Sequence, residues 1–215
     1  MGEELEQALS LERFSRYLSW AGGDRQKAID LYALNTRLSE ALYVPLQMLE
    51  VALRNRVHAV LSDSKGSRWY ETPNFLVGRH QEEQVAAVVT ELSRLGKEAT
   101  PGRVVAALTL SFWTTMVGKP YEDLWQTELY QIARHRDGKG LTRKHLSGPL
   151  TPIRILRNRI AHHEPILAWD LKKHHFMTLQ ITEWLSLEAA DWCRSLDRFQ
   201  QVFPSGGITL KLESG

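Results

Sequence analysis

The sequence predicts an all-α protein, and three observations indicate that fold class. Apolar residues recur at steps of three and four along most of the 215-residue chain, which is the spacing of one helix face. The longest such run extends from Ala28 to Leu61. Glycine and proline separate the runs, and only residues 208–212 alternate as a strand does. We therefore expect one helical bundle over residues 1–215, with a short extended tail.

The composition is that of a globular protein, with 43% hydrophobic and 24% charged residues. The net charge of +2 does not indicate a nucleic-acid-binding protein, so such a role would require a local cluster of basic residues. The single cysteine, Cys193, is expected in the core, excludes an internal disulfide and fits a reducing compartment. Because the sequence has neither a signal peptide nor an apolar run of roughly 18 residues, we expect a cytoplasmic protein without a membrane segment.

Two helices are expected in the N-terminal third of the chain. Residues 5–18 have a short helical pattern, which Gly22 and Gly23 end. Asp24 is placed to cap a long second helix, because an aspartate side chain accepts hydrogen bonds from the free N–H groups of the first turn. Pro45 falls inside this second run, so we expect a kink there or a junction between two helices.

The middle of the chain predicts a loop followed by three helices, over residues 62–79, 81–95, 101–118 and 121–132. Three aromatic residues are expected to hold the loop against the body of the protein: Trp69, Tyr70 and Phe75. Pro101 suits the first position of its helix, where the missing N–H has no intrahelical partner to lose. Gly118 is expected to end that helix.

A basic segment, residues 134–145, comes next. It carries one acidic residue, Asp137, against five fixed positive charges: Arg134, Arg136, Lys139, Arg143 and Lys144. This excess would attract a phosphate backbone in a salt-dependent way, although a solvated surface loop accounts for the composition equally well. Its position just before the motif described next favours an RNA-guiding element.

The most specific pattern is residues 156–165, with the sequence Leu-Arg-Asn-Arg-Ile-Ala-His-His-Glu-Pro. A helix that begins at Pro149 and Pro152 should contain it, since proline is well placed in a first turn. Three apolar residues at helical spacing form one stripe of this helix: Ile153, Leu156 and Ile160. Pro165 disfavours helical geometry at the preceding residue, so the helix should end at the two histidines.

Three polar residues of this helix are candidates for catalysis. His162 would lie at the negative end of the helix dipole, and an imidazole that titrates near neutrality can both accept and donate a proton. Asn158 precedes His162 by one turn and is placed to orient its ring. Arg157 could hold a phosphate, but it lies roughly 140° around the helix from His162. Either the arginine wraps around the helix, or a second copy of the chain completes the site.

The same residues also fit a purely structural role. Judged by spacing alone, a basic helix end with two histidines is more often a solvated terminus than a catalytic site. A metal site is disfavoured, because His162 and His163 point in different directions and Pro165 breaks the helix where a further ligand would lie. We therefore expect neither a metal nor another cofactor.

The motif resembles the Arg-x(4–6)-His motif of the HEPN superfamily, and the whole stretch is similar to the Abi-like (abortive infection) branch of bacterial proteins. Two further segments resemble Abi-like signatures: Leu49–Asn55, which matches a Leu-Glu-x-x-Leu-Arg-Asn pattern, and the run Ser111-Phe112-Trp113. The sequence of residues 53–58 also echoes the motif, and we interpret that echo as structural. The residues after Pro165 depart from the common Abi-like continuation, so the contacts of that region cannot be transferred.

The resemblance implies a HEPN-like bundle that acts as a metal-independent endoribonuclease in phage defence, with a composite site in a homodimer. It assigns Arg157 as phosphate clamp, Asn158 as orienter of the imidazole and His162 as general acid or base. RNA-binding positions are expected at Arg154, Arg159, His163, Arg134, Arg136, Lys139, Arg143 and Lys144. The expected partners are RNA, a second copy and an antitoxin or regulatory RNA. The alternative is a non-catalytic RNA-binding or dimerisation module.

Two helices are expected after the motif. Asp170 is placed to cap the first, which has an apolar pattern at Leu171, Phe176, Leu179, Ile181 and Leu185. Its first turns are unusually basic, which indicates either a nearby anion or simple solvation: Lys172, Lys173, His174 and His175. The last helix is predicted over residues 187–202, with three side chains directed inward: Trp192, Leu196 and Phe199.

Overall fold

The protein is all-α, as the sequence predicts. A computed structural model describes residues 7–9 and 11–211. In these ranges the chain forms the ten α-helices whose bounds are given next, and no β-strand. The helices are α1 (Leu11–Trp20), α2 (Arg25–Lys65), α3 (Arg79–Arg94), α4 (Pro101–Ala107), α5 (Leu110–Met116), α6 (Glu122–Thr127), α7 (Arg143–Ala161), α8 (Leu171–Leu185), α9 (Leu187–Leu196) and α10 (Phe199–Val202). The beginning of the helix expected over residues 5–18 lies partly outside the described residues.

Helix α2 is the longest element, with 41 residues. The Asp24 side chain accepts a hydrogen bond from the backbone N–H of Lys27, which confirms the expected cap. Gly22 and Gly23 both have positive φ, which glycine adopts without steric cost. The helix continues through Pro45, whose side chain is buried, so the expected junction between two helices is wrong.

The core forms around α2, which contacts α1, α4, α5, α8, α9 and α10. One stripe of α2 is almost completely buried and includes Leu38, Leu42, Leu46, Leu49, Leu53, Val57 and Leu61. Burial of a leucine of this kind contributes about 1.5–3 kcal/mol before conformational entropy is subtracted. Helix α2 is therefore the frame on which α8 is positioned, and α7 packs against α5 and α8.

Two of the helices predicted for the middle of the chain are divided in the structure. The helix expected over residues 101–118 ends at Ala107 and starts again at Leu110, because Leu108 and Thr109 have extended backbones. The indole N–H of Trp113 donates to the Leu108 carbonyl at 3.3 Å, which satisfies an acceptor left by the break. The region 121–132 forms the short helix α6 between two 3₁₀ turns, Lys119–Tyr121 and Leu129–Ile132.

The C-terminal region also differs from the prediction. The last helix is divided at Asp197–Arg198 into α9 and α10, and only Phe199 of its three expected inward residues is buried. Trp192 and Leu196 are 54% and 45% exposed, and Phe176 of α8 is 60% exposed. Residues 208–211 form no strand; their backbone is tied to α1 by one hydrogen bond, from Lys211 N–H to the Trp20 carbonyl. Leu212 lies outside the described residues.

An aromatic cluster anchors the connection between α2 and α3. Trp69 is completely buried and packs against four aromatic rings at centroid distances of 5.5–6.3 Å: Tyr70, Phe75, Phe112 and Trp113. Its indole N–H donates to Nδ1 of His58 at 3.1 Å. The expectation that aromatic residues hold this connection to the body is confirmed, and the echo of the motif around His58 has a structural role.

Stability is expected to fall in mild acid because of His58. Burial lowers the pKa of His58 below its usual value, and its Nδ1 must stay unprotonated to accept the Trp69 N–H. The unfolded chain therefore binds the proton more readily, and this part of the stability is lost as the pH falls below about 6.5 toward the folded-state pKa. In His58→Gln, which keeps an acceptor but does not titrate, the melting temperature should change less between pH 7 and pH 5. Equal slopes in both proteins would contradict this role.

Two further features bear on the sequence-based expectations. Cys193 is completely buried, and burial raises the pKa of its thiol to about 11, so it is a core residue rather than a nucleophile. Among the described residues, no helix has the length and apolar character that a membrane crossing requires.

Candidate functional site

The motif lies on α7, which begins earlier than the prolines predict. Thr142 and His145 form a capping box at its start, so the helix begins at Arg143, and Pro149 and Pro152 both lie inside it. One stripe of the helix is buried in the core: Leu146, Leu150, Ile153 and Leu156. The early start places the end of the basic segment on the same helix as the motif.

The C-terminus of α7 lies at the two histidines, as predicted. His162 is the C-terminal cap, and His163 has a left-handed φ of 57°. The N–H groups of His163 and Glu164 donate to the carbonyls of Ile160 and Arg159, which is the Schellman arrangement that usually employs glycine. A histidine here costs about 1–2 kcal/mol relative to glycine. The chain therefore keeps an imidazole where stability alone favours glycine.

Two side chains, those of Arg159 and Asn35, hold the turn after the motif in place. The Arg159 guanidinium donates to the Pro165 carbonyl at 3.2 Å and pairs with the Glu164 carboxylate at 3.3 Å. The buried side chain of Asn35, on α2, accepts the Ile166 N–H at 2.8 Å. Arg159, one of the predicted RNA-binding residues, therefore has a structural role in the conformation of this turn.

Arg157 faces α2 and is bound there by Glu50. Its Nη2 lies 3.3 Å from Oε2 of Glu50, and the arginine side chain is 38% exposed. Within the described residues, neither Nε nor Nη1 of Arg157 makes a hydrogen bond, so part of the guanidinium remains available to a ligand. The spacing of Glu50 and Arg54 suggests a pair within α2, but Arg54 donates to the Ala106 carbonyl instead.

His162 and Asn158 are placed differently from Arg157. His162 is exposed at the end of the helix, and Asn158 is half-buried. Asn158 is joined to His162 by its backbone carbonyl, which accepts the His162 N–H, and in the described chain its side-chain amide does not bond the imidazole. In the described residues, neither Arg157 nor His162 lines any of five surface cavities, and no hydrogen bond joins their side chains. The structure of one chain therefore does not bring the three candidate residues together.

An apolar hollow of about 660 Å³ lies beside the histidines, between α2, the end of α7 and α9. Ile160 and His163 line one side of it, and Tyr43, Val44 and Leu196 contribute apolar surface. Tyr43 is 60% exposed. A single chain therefore leaves a considerable apolar surface open next to the motif.

The basic segment is less available to RNA than its composition predicts. Arg143 is buried; it pairs with Glu122 at 2.6 Å and donates to the Val117 carbonyl. The expectation that Arg143 binds RNA at the surface is therefore wrong. Lys139 is exposed but pairs with Asp137 at 2.8 Å in the turn of a small hairpin. Three residues of the segment form no ion pair in the described chain: Arg134, Arg136 and Lys144.

Two residues that position the site were not recognised as such from the sequence. Glu50 orients Arg157, and Asn35 fixes the segment after the histidines. Each is a polar residue on the otherwise apolar face of α2. A polar residue at such a position indicates a buried polar contact, and this is the feature of the sequence that could have identified both residues. No group of three or more potential metal ligands occurs in the part of the chain that the structure describes. Arg154, the last of the predicted RNA-binding residues, is half-buried and makes no ion pair there.

Comparison with known proteins identifies a family. A family model described as Abi-like protein matches residues 6–168, which is about three quarters of the chain and includes α7 with both histidines. No curated protein and no solved structure matches the sequence. The matched region also contains Glu50 and the Phe112-Trp113 pair, which the structure places beside Arg157 and in the aromatic cluster. The chain belongs to the family of Abi-like proteins.

Proposed function

We propose that this protein is a metal-independent endoribonuclease of the HEPN type that acts in abortive infection. The family assignment supports the role in abortive infection. The observation that carries the nuclease proposal is the end of α7, where an exposed His162 follows a partly exposed Arg157 on the same helix. RNA is the proposed substrate because a titratable imidazole and a fixed cation are the groups that attack by the ribose 2′-OH requires.

The proposed reaction needs no metal. His162 removes the proton from a ribose 2′-OH, whose oxygen attacks the adjacent phosphorus, and the bond from phosphorus to the 5′-oxygen breaks. The products are a 2′,3′-cyclic phosphate and a 5′-OH end, the leaving oxygen being protonated by a protonated histidine or by water. Arg157 stabilises the charge that develops on the phosphoryl oxygens.

We propose further that two chains share each site. Arg157 and His162 project from α7 roughly 140° apart, so one helix directs them at different regions of space. A second copy, packed against the apolar hollow beside His163, would bring its own α7 near the first. Burial of Tyr43 and Leu196 in such an interface would remove apolar surface from water.

The experiment is a cleavage assay on total cellular RNA in the presence of EDTA. We expect cleavage, with cyclic phosphate ends, and no cleavage of an oligonucleotide that carries a 2′-deoxyribose at the cut site. Cleavage that EDTA abolishes, or cleavage of the 2′-deoxy substrate, would contradict the proposed reaction.

A non-catalytic RNA-binding module is the second candidate function. It is favoured by the contact between Arg157 and Glu50, because a guanidinium that already has a carboxylate partner is a weaker phosphate ligand. RNA binding without cleavage by both the wild-type protein and His162→Ala would support this alternative. Absence of both binding and cleavage would favour an interaction domain.

A further inference from the structure

A second cavity lies along the first half of α7, between that helix and α8, and neither Arg157 nor His162 lines it. Its volume is about 430 Å³, which is within the range of small-ligand sites. Four basic residues line it: Lys144 and His145 from α7, and Lys173 and His174 from α8. No acidic residue belongs to its lining in the described chain. This cavity is therefore suited to a ligand with negative charge.

Neither lysine of the cavity is tied up in a short ion pair, although Glu122 interacts with Lys144 from outside the cavity lining. Both are exposed, and neither forms an ion pair within residues 7–9 and 11–211. The nearest acid along α8, Asp170, directs its side chain to the backbone N–H of Lys173, where it caps the helix. The basic first turns of α8 and the end of the basic segment, which lies at the start of α7, thus line the same cavity.

The hydrogen bonds of the two histidines leave Nε2 of each ring without a partner in the described chain. Nδ1 of His174 lies 2.6 Å from the Asp170 carbonyl, which can only accept, so Nδ1 carries the proton. Nδ1 of His145 instead accepts the backbone N–H of Thr142, so its proton lies on Nε2. His145 therefore has a donor available to an anion, and His174 gains one when it is protonated.

Between its basic ends the cavity is apolar. Three apolar residues belong to its lining: Pro149, Ile153 and Met177. Trp184 lies beside His145 with the ring centroids 6.4 Å apart. This contact places the end of α8 near the beginning of α7, so Lys173 lies roughly 15 Å along α8 from Trp184. The arrangement combines an aromatic, apolar surface for a base with a lysine and a histidine at each end for phosphate.

We propose that this cavity binds nucleoside phosphates, either as free mononucleotides or as residues of a single-stranded RNA. The base packs against the apolar surface, and the phosphate contacts the lysine and histidine at one end. A strand that contacts both ends should bind more tightly than a mononucleotide. The inference goes beyond the proposed nuclease, because the cavity is separate from Arg157 and His162 and binding there requires no cleavage.

The test is binding of the full chain to four mononucleotides (AMP, GMP, CMP and UMP) by calorimetry, and to a labelled 2′-O-methyl oligonucleotide by fluorescence anisotropy. The 2′-O-methyl group prevents attack by the 2′-oxygen, so failure of the nuclease proposal does not affect the result. Lys144→Glu and Lys173→Glu should each weaken binding of the oligonucleotide at least about fivefold, and one of them should weaken binding of a mononucleotide. Lys97→Glu, which changes an exposed lysine outside the cavity, should weaken neither.

The mononucleotide and oligonucleotide measurements together show whether the ligand is a free nucleotide or a residue of RNA. Binding of a mononucleotide supports a free nucleotide, and binding of the oligonucleotide alone supports RNA. Either result supports the proposal if at least one of the two lysine variants weakens it. Inorganic phosphate should bind at least about tenfold more weakly than the better nucleotide ligand, because it lacks the base. No binding, equal affinity for phosphate, or affinities unchanged in both lysine variants would overturn the proposal. Unchanged melting temperatures will show that the variants are folded.

Discussion

Replacement of His162 by alanine is expected to reduce the rate of RNA cleavage by about 10²–10⁴-fold, the usual contribution of a general acid or base. His162 is exposed at the end of α7, so its removal deletes a proton-transfer group without opening the core. The melting temperature should therefore stay close to that of the wild type, while the initial rate of cleavage of a labelled RNA decreases.

Two control variants show whether the loss of cleavage is specific to His162 or follows from replacing any exposed histidine. His80 is also exposed, but it lies on α3 and bonds Gln84, so His80→Ala should leave cleavage unchanged. His163→Asn keeps a residue that tolerates positive φ and should cause a smaller loss than His162→Ala. Full activity of His162→Ala would exclude the proposed role of this imidazole.

Replacement of Trp69 by alanine is expected to cause the largest loss of stability, about 3–5 kcal/mol of the free energy of unfolding. The indole is completely buried, contacts four other aromatic rings and donates its N–H to His58. Its removal would leave a cavity at the connection between α2 and α3 and would remove the shorter of the two hydrogen bonds to Nδ1 of His58, the other partner being the Ser62 hydroxyl. Chemical denaturation followed by circular dichroism measures the change.

Trp192 provides a matched control for this prediction. It is the same residue type, but it is 54% exposed on α9. Trp192→Ala should therefore change the free energy of unfolding by less than about 1 kcal/mol. Similar losses in both variants would contradict the assignment of Trp69, and not Trp192, to the core.

The features that the sequence predicts correctly are those set by neighbouring residues. The cap at Asp24 and the end of α7 at the histidines depend on side-chain and backbone groups within one turn. The all-α class follows from spacing over the whole chain. Burial of Trp69 follows from the need to remove a large apolar side chain from water.

The features that the sequence does not predict depend on how helices pack. The contact between Glu50 and Arg157 spans 107 residues and requires a particular register of α7 on α2. Arg143 is buried because Glu122 and the Val117 carbonyl lie beside it, which composition cannot indicate. Likewise, the periodic pattern around Trp192 fits a helix with either face inward, and tertiary packing leaves this tryptophan exposed.

A mixed-subunit assay tests most directly whether two chains share one catalytic site. Arg157→Ala and His162→Ala proteins are each expected to be inactive, but unfolding and refolding them together in equal amounts forms mixed dimers. Half of the dimers then contain both variants, and one of their two sites receives an intact Arg157 from one chain and an intact His162 from the other. The refolded mixture should recover about one quarter of the wild-type cleavage rate. A mixture as inactive as its components, in which sedimentation shows that mixed dimers have formed, would contradict the shared site.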